Sequence, residues 1–216
     1  MTNKKILLLR HGETDWNAQL RFQGSKDIPL NTNGEDQARC VSHRISAWLP
    51  EVVYSSPLQR ALKTAQLTAG HSFGKINIIE DLCEINFGIW EGKTIADLKE
   101  QGELFNKWAQ EPFSLAVPEA ETERQILTRV ERVLEIIIES PKERILIVSH
   151  GGTLRALLSA ALDIPFRSAW RNFRMSNCSL TGLEFTGQKF ILAFYNDHIT
   201  NDDHTALTDG VLPICF

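Results

Sequence analysis

Two short runs, KILLL at residues 5–9 and RILIVS at 144–149, hold four consecutive aliphatic residues each and stop abruptly at a histidine followed by glycine, His11-Gly12 and His150-Gly151. Such runs are too short for a buried helix and lack the alternation of a strand with one wet face. They read as central strands of a parallel sheet covered on both sides by helices. A chain with two such strands is constrained to an α/β architecture.

The intervening sequence supplies the covering elements. In NTNGEDQARCVSHRISAWLP, Thr32 and Glu35 have capping-box spacing, Ala38, Val41, Ile45 and Trp48 recur at helical intervals, and Pro50 closes the segment. EVVYSS (51–56) reads as the next strand. In the helix after it Ser56 is placed to cap, Pro57 to occupy the first helical position, Gln59 to complete a capping box and Gly70 to stop. Arg60 then falls in the first helical turn.

INIIE (76–80) is a further strand candidate, followed by loop-rich sequence and an irregular stretch to about residue 120. From Thr122, again with capping-box spacing to Gln125, a long helix is expected with its stripe formed by Ile126, Val130, Val133, Leu134 and Ile137. The run after His150, with Leu154, Leu157, Leu158, Ala161 and Leu162, suits a buried helix. SLTGLEF and FILAFY close the sheet before a polar tail that ends in an apolar VLPICF. The expected fold is a three-layer α/β/α sandwich with a mostly parallel central sheet, in one domain over residues 1–216.

Composition narrows the function. A formal net charge of -4 gives no overall attraction to nucleic acid or to an anionic membrane, so neither is expected as a partner. Cys40, Cys83, Cys178 and Cys215 lie far apart with no CxxC pair, which fits a reduced, cytoplasmic setting and suggests no zinc site or disulfide framework. No run has signal-peptide or membrane-spanning length.

In an open α/β sheet the carboxyl ends of the strands form the ligand crevice, and both histidines stand there. Arg10 accompanies the first, and Arg60, after its own strand, approaches the same edge. Guanidinium forks match phosphate oxygens, and the helix start after Gly151 and Gly152 adds N–H donors and dipole. A dianionic phosphate is the expected guest.

LLLRHGETDWN, SSPLQRALKTA, LCEINFGIWEG and VSHGGTLR, in this order, resemble the motifs of the histidine phosphatase superfamily, the phosphoglycerate mutase-like proteins. The resemblance spans residues 5 to about 196. It implies His11 as the nucleophile that takes the phosphoryl group, Arg10, Asn17, Arg60, His150 and Gly151 as the phosphate pocket, and Glu84 as proton donor to the leaving group. It implies no metal and no cofactor. Leu82, Cys83, Ile85 and Phe87 around Glu84 predict an apolar surround that raises its pKa.

Three functions remain open at this level. The first is a metal-independent phosphatase of small phosphomonoesters working through a phosphohistidine, among whose relatives the α-ribazole phosphatases look similar in length and motifs. The second is a 2,3-bisphosphoglycerate-dependent phosphoglycerate mutase, and the third a non-catalytic phosphate-binding member. The segment around 91–122 is expected to cover the site. Between Glu103 and Glu123 it offers only Lys107 as a base, with Phe105, Trp108, Phe113 and Leu115 instead, and this argues against a mutase. Many relatives have two glycines before the long helix where this chain has Glu119 and Ala120. That change predicts a stiffer, more acidic loop that repels highly anionic substrates, with Glu121 beside it. The expected assembly is a monomer or homodimer.

Overall fold

The computed structural model describes residues 3–69 and 74–198. Its elements run β1 (Lys4–Arg10), α1 (Asp15–Ala18), α2 (Thr32–Trp48), β2 (Val52–Ser55), α3 (Gln59–Ala69), β3 (Ile76–Ile78), α4 (Ile95–Gln101), α5 (Glu103–Gln110), α6 (Glu123–Glu139), β4 (Arg144–Ser149), α7 (Gly151–Ala161), α8 (Phe166–Asn172), β5 (Leu180–Phe185) and β6 (Phe190–Asp197). Single 3₁₀ turns occupy Glu80–Leu82 and Gly88–Trp90. Gly70, Cys215 and the VLPICF end lie outside the described residues.

The six strands form one sheet in the order β3-β2-β4-β1-β5-β6. β3, β2, β4 and β1 are parallel, β5 pairs antiparallel with β1, and β6 pairs antiparallel with β5. The two aliphatic runs are adjacent central strands, with Leu7 opposite Leu146 and Arg10 opposite Ser149. Successive side chains leave opposite faces of a strand. Ile6, Leu8, Ile145 and Ile147 therefore enter one core with α6 and α7, and Leu7, Leu9, Leu146 and Val148 enter another with α2 and α3. Each of these buried aliphatic side chains contributes about 2 kcal/mol. The three-layer sandwich is thus formed as the apolar pattern requires.

Local signals hold in part. The Thr122–Gln125 capping box forms. Helix α2, however, is capped by Asn31, whose side chain accepts from the Gly34 N–H, one residue before the expected Thr32. Ser56 does not cap α3 through the expected box. Its hydroxyl is shared with His150, and α3 starts at Gln59, where Asp27 Oδ1 accepts the backbone N–H at 2.7 Å. β3 is shorter than expected because the chain leaves the sheet after Ile78. The stretch expected to be irregular contains α4, opened by a Thr94–Asp97 capping box, and α5.

The aromatics of that stretch form a core of their own. Phe105 and Trp108 are buried, and Trp90, Phe22, Phe113 and Trp170 meet them at ring-centroid distances of 5.2 to 6.4 Å, mostly edge to face. This cluster fixes α5 to the body of the domain, and Leu98 of α4 joins the same core. Among the described residues no helix is long and apolar enough to cross a membrane.

Candidate active site

β1 and β4 lie at the point where the chain's connections diverge to opposite faces of the sheet, and a cavity of about 400 Å³ opens there. Arg10, His11, Asn17, Arg60, Glu84 and Gly151 line it. The loop after β1 lies tightly on the start of α2. A Cβ on Gly12 would meet Gly34 O at 2.3 Å, so two glycines permit the approach that sets the direction of His11.

His11 is almost wholly buried, with Nδ1 at 2.6 Å from the carbonyl of Gly12. A carbonyl only accepts, so Nδ1 carries the proton. Burial, then the Arg60 and Arg10 charges, hold the His11 pKa well below the ordinary value, against the smaller opposing effect of the Gly12 bond. The ring is neutral at pH 7, and Nε2 presents a lone pair to the cavity, with no partner among the described residues.

The cations around it are preorganised. Arg10 donates through Nη1 to the carbonyl of Met175, while its buried Nε has no acceptor among the described residues. Burial, with Arg155 and Arg60 nearby, pushes the Arg10 pKa down to about 10, although Glu84 opposes this. Arg60 is fully buried rather than the solvated charge usual in a first helical turn. Nη1 and Nη2 donate to the carbonyls of Lys26 (2.6 Å) and Gly24 (2.8 Å), and Nε donates to His150 Nδ1 at 3.1 Å. Asn17 Oδ1 accepts from the Thr14 N–H and from Asn177 Nδ2, which leaves its own Nδ2 as a donor on the cavity wall, unpartnered among the described residues.

His150 stands differently from the expectation. Its ring centroid is 5.1 Å from that of His11, but it lies behind the cavity wall, fully buried. Because Nδ1 accepts from Arg60, Nε2 carries the proton and donates to Ser56 Oγ at 2.8 Å. Burial and then Arg60 keep its pKa well below the ordinary value. In this arrangement His150 orients Arg60.

Glu84 also differs. Leu82 and Ile85 turn into the core, but the Glu84 carboxylate caps the start of α7, accepting from the N–H groups of Gly152 (3.1 Å) and Thr153 (3.0 Å) and from Ile85 N (2.9 Å). The expected apolar surround is replaced by N–H donors, because adjacent residues of this irregular segment point in opposite directions. The Gly151 N–H has no intrahelical acceptor either, and Gly151 lines the cavity.

Glu121 is not at the cavity. It pairs with Arg129 at 2.8 Å and accepts from the Asn86 N–H, and Arg129 also donates to the carbonyls of Asp81 and Cys83. Together they brace the segment that carries Glu84. Glu119 does not line the cavity either. It holds φ at 63°, a left-handed conformation that favours glycine.

Sequence reasoning passed over Arg21, Phe22, Gln23, Arg155 and Trp170, all of which line the cavity. Arg155 closes the VSHGGTLR motif, and its place one helical turn after Gly151 was a signal for it. The positive charge missing from the covering segment therefore enters from α7 and from the loop after α1, so the cap composition does not exclude an anionic leaving group. Among the described residues no group of three or more His, Cys, Asp or Glu side chains is placed to hold a metal ion.

This fold and this cluster at its switch point define a phosphoryl-handling histidine protein, and the chain belongs to the histidine phosphatase superfamily (branch 1), whose profile matches residues 6–198. It is 36% identical over 182 residues to the Serratia proteamaculans protein named "Probable phosphoglycerate mutase GpmB", covering 83% of this chain and 84% of that one. Among solved structures, an α-ribazole phosphatase from Shigella flexneri superposes with a TM-score of 0.81 at 29% identity, covering 91% of this chain and all (100%) of the other. A phosphoserine phosphatase from Entamoeba histolytica, solved with 3-phosphoglyceric acid, superposes with a TM-score of 0.78 at 31% identity over 90% and 97% of the two chains.

Proposed function

We propose that the protein is a metal-independent phosphomonoesterase that transfers the phosphoryl group of a small ester to His11 Nε2 and then to water. The observation that carries this reading is the pinning of His11 as a neutral Nδ1–H tautomer, with Nε2 free and facing a cavity lined by arginines.

In the first step the Nε2 lone pair forms the N–P bond as the ester P–O bond breaks. Arg10, Arg60, Asn17 Nδ2 and the Gly151 N–H neutralise the non-bridging oxygens of a loose transition state. The leaving alkoxide takes a proton from Glu84, which must be in its acid form for this step. In the second step Glu84 takes a proton from water as the water oxygen attacks phosphorus, and the N–P bond returns its electrons to His11. His150 acts one layer back, as the acceptor that aims the Arg60 fork.

Phosphate release from p-nitrophenyl phosphate, α-ribazole phosphate, 3-phosphoglycerate and sugar and nucleoside monophosphates, with EDTA present, tests the reading on wild type and His11→Ala. Turnover that vanishes in His11→Ala supports it. Glu84→Gln should slow esters of poor leaving groups far more than p-nitrophenyl phosphate, and equal losses refute the donor role. The mutase reading is favoured by one observation, the presence of Arg21 and Arg155 in the cavity. Interconversion of the two phosphoglycerates on addition of 2,3-bisphosphoglycerate, without net hydrolysis, would establish it instead.

A further inference from the structure

Ser56 is fully buried between β2 and α3, and every bonding position of its hydroxyl is taken. Its N–H donates to Val148 O at 3.1 Å, which ties it to β4 two residues before His150. Oγ accepts from His150 Nε2 at 2.8 Å and from the Leu58 N–H at 3.3 Å, and its own proton points to Cys83 Sγ at 3.9 Å, a weak acceptor.

Arg60 is held at three points, and they are not equivalent. Two are the carbonyls of Gly24 and Lys26, on a turn whose Ser25 and Lys26 are exposed. The third is His150 Nδ1. That ring stands at the end of β4, beside β1, and the two strand ends are joined where the His11 N–H donates to Ser149 O at 3.0 Å. The imidazole is therefore the anchor that fixes Arg60 relative to the nucleophile. A ring held at one nitrogen still turns about its Cβ–Cγ bond, because torsions of this kind have broad wells. Held at both nitrogens, it does not. Ser56 Oγ is the acceptor at the second nitrogen, and His150 makes no side-chain capping bond to α7 in its place.

We propose that Ser56 is a positioning residue for phosphoryl transfer, whose hydroxyl fixes the His150 ring and, through it, the Arg60 fork on the non-bridging phosphate oxygens. Without the hydroxyl a buried N–H loses its acceptor and the ring turns to find another, so the bond to Arg60 is given up and the fork follows the surface turn. Ser56 also reaches the segment that carries Glu84, through Cys83, and the two routes predict different kinetics. A route through Arg60 acts on the phosphate, which every ester shares, whereas a route through Glu84 acts on the leaving group. The role deepens the phosphomonoesterase reading and rests on it for the placing of Arg60 on the transferred phosphate.

The test compares wild type, Ser56→Ala and Ser56→Cys, the last of similar shape with a weaker acceptor, in turnover of p-nitrophenyl phosphate and glycerol 3-phosphate and in calorimetric binding of inorganic phosphate. A displaced fork predicts a loss of kcat/KM of roughly 10- to 100-fold in Ser56→Ala, equal on the two esters, and a phosphate affinity lower by about 10-fold, with Ser56→Cys in between. In an Arg60→Met background Ser56→Ala should cost nothing further. The His150 Nε2 proton resonance should move upfield in Ser56→Ala. Unchanged phosphate affinity or an unmoved resonance overturns the proposal. So does a greater loss on glycerol 3-phosphate than on p-nitrophenyl phosphate, which would place the effect on Glu84, and so do losses that multiply in Arg60→Met, as a general loosening of the fold would give. If Ser56→Ala does not fold, Ser56→Cys decides alone. Phosphate binding that weakens as expected, with no ester hydrolysed by wild type, would refute the phosphatase reading and leave the role of Ser56 standing. Turnover by wild type with phosphate binding unchanged in Ser56→Ala would do the reverse.

Discussion

Gly152→Ala separates the two tasks of the turn after His150. A Cβ at this position would lie 2.6 Å from Glu84 Oε1 and 2.9 Å from Ile85 Cδ1, both of them ends of flexible side chains. The cheapest relief is for the Glu84 carboxylate to swing away from the N–H groups of Gly152 and Thr153. Each such bond to a charged group contributes about 1.5–3 kcal/mol, but Glu84 is half-buried and water takes over part of both, which leaves a net loss of about 1–2 kcal/mol. Alanine in place of glycine within α7 returns about 1 kcal/mol of helix propensity. The fold should therefore be nearly as stable as wild type. Catalysis should not be, because a displacement of about 1 Å in a positioned group costs about 100-fold. The expected result is a melting temperature within a few degrees of wild type, and a kcat on glycerol 3-phosphate reduced about 100-fold against a much smaller loss on p-nitrophenyl phosphate, which needs little help from an acid. Equal losses on the two esters would refute the reasoning, and so would unimpaired turnover of glycerol 3-phosphate.

Two further outcomes concern stability. The unfolded chain protonates His11 and His150 near pH 6.5 whereas the folded chain does not, so stability is full above about pH 7 and falls as pH drops through 6.5, by up to about 1.4 kcal/mol per pH unit for each histidine. Urea unfolding at several pH values should show a shallower fall in His11→Asn than in wild type, and parallel curves would refute the assignment of buried neutral imidazoles. Arg129→Leu leaves Glu121 without its ion pair and the carbonyl of Asp81 without its side-chain donor, while the Cys83 carbonyl keeps only the Thr153 hydroxyl, for a loss of about 3 kcal/mol in urea unfolding, and a loss below about 1 kcal/mol would show that the brace is dispensable.

Much of the site was legible before the fold because it stands where two periodic signals stop. The aliphatic runs force two central parallel strands, parallel strands expose their carboxyl ends together, and His11, Arg10 and Gly151 are the next residues along the chain. Arg60 was legible from the turn it starts. The cap was not, because α4 and α5 are short and the aromatics of α5, Phe105 and Trp108, find their partners Phe22, Trp90 and Trp170 on distant segments. The Thr94–Asp97 box marks α4 in the sequence even so.

The sequence by itself determined the sandwich, its central strands and the set of residues that meets at their ends, because burial on both faces admits one kind of sheet and chain order then dictates which residues come after each strand. Only the tertiary structure decided what each of those residues faces. Side chains a residue apart on an irregular segment turn in opposite directions, so Glu84 caps α7 while its neighbours enter the core. A buried imidazole takes the partners that packing presents, so His150 aims Arg60 from behind the wall. Arg155 is held at the cavity by Phe173 and Trp170, which no local pattern brings to it.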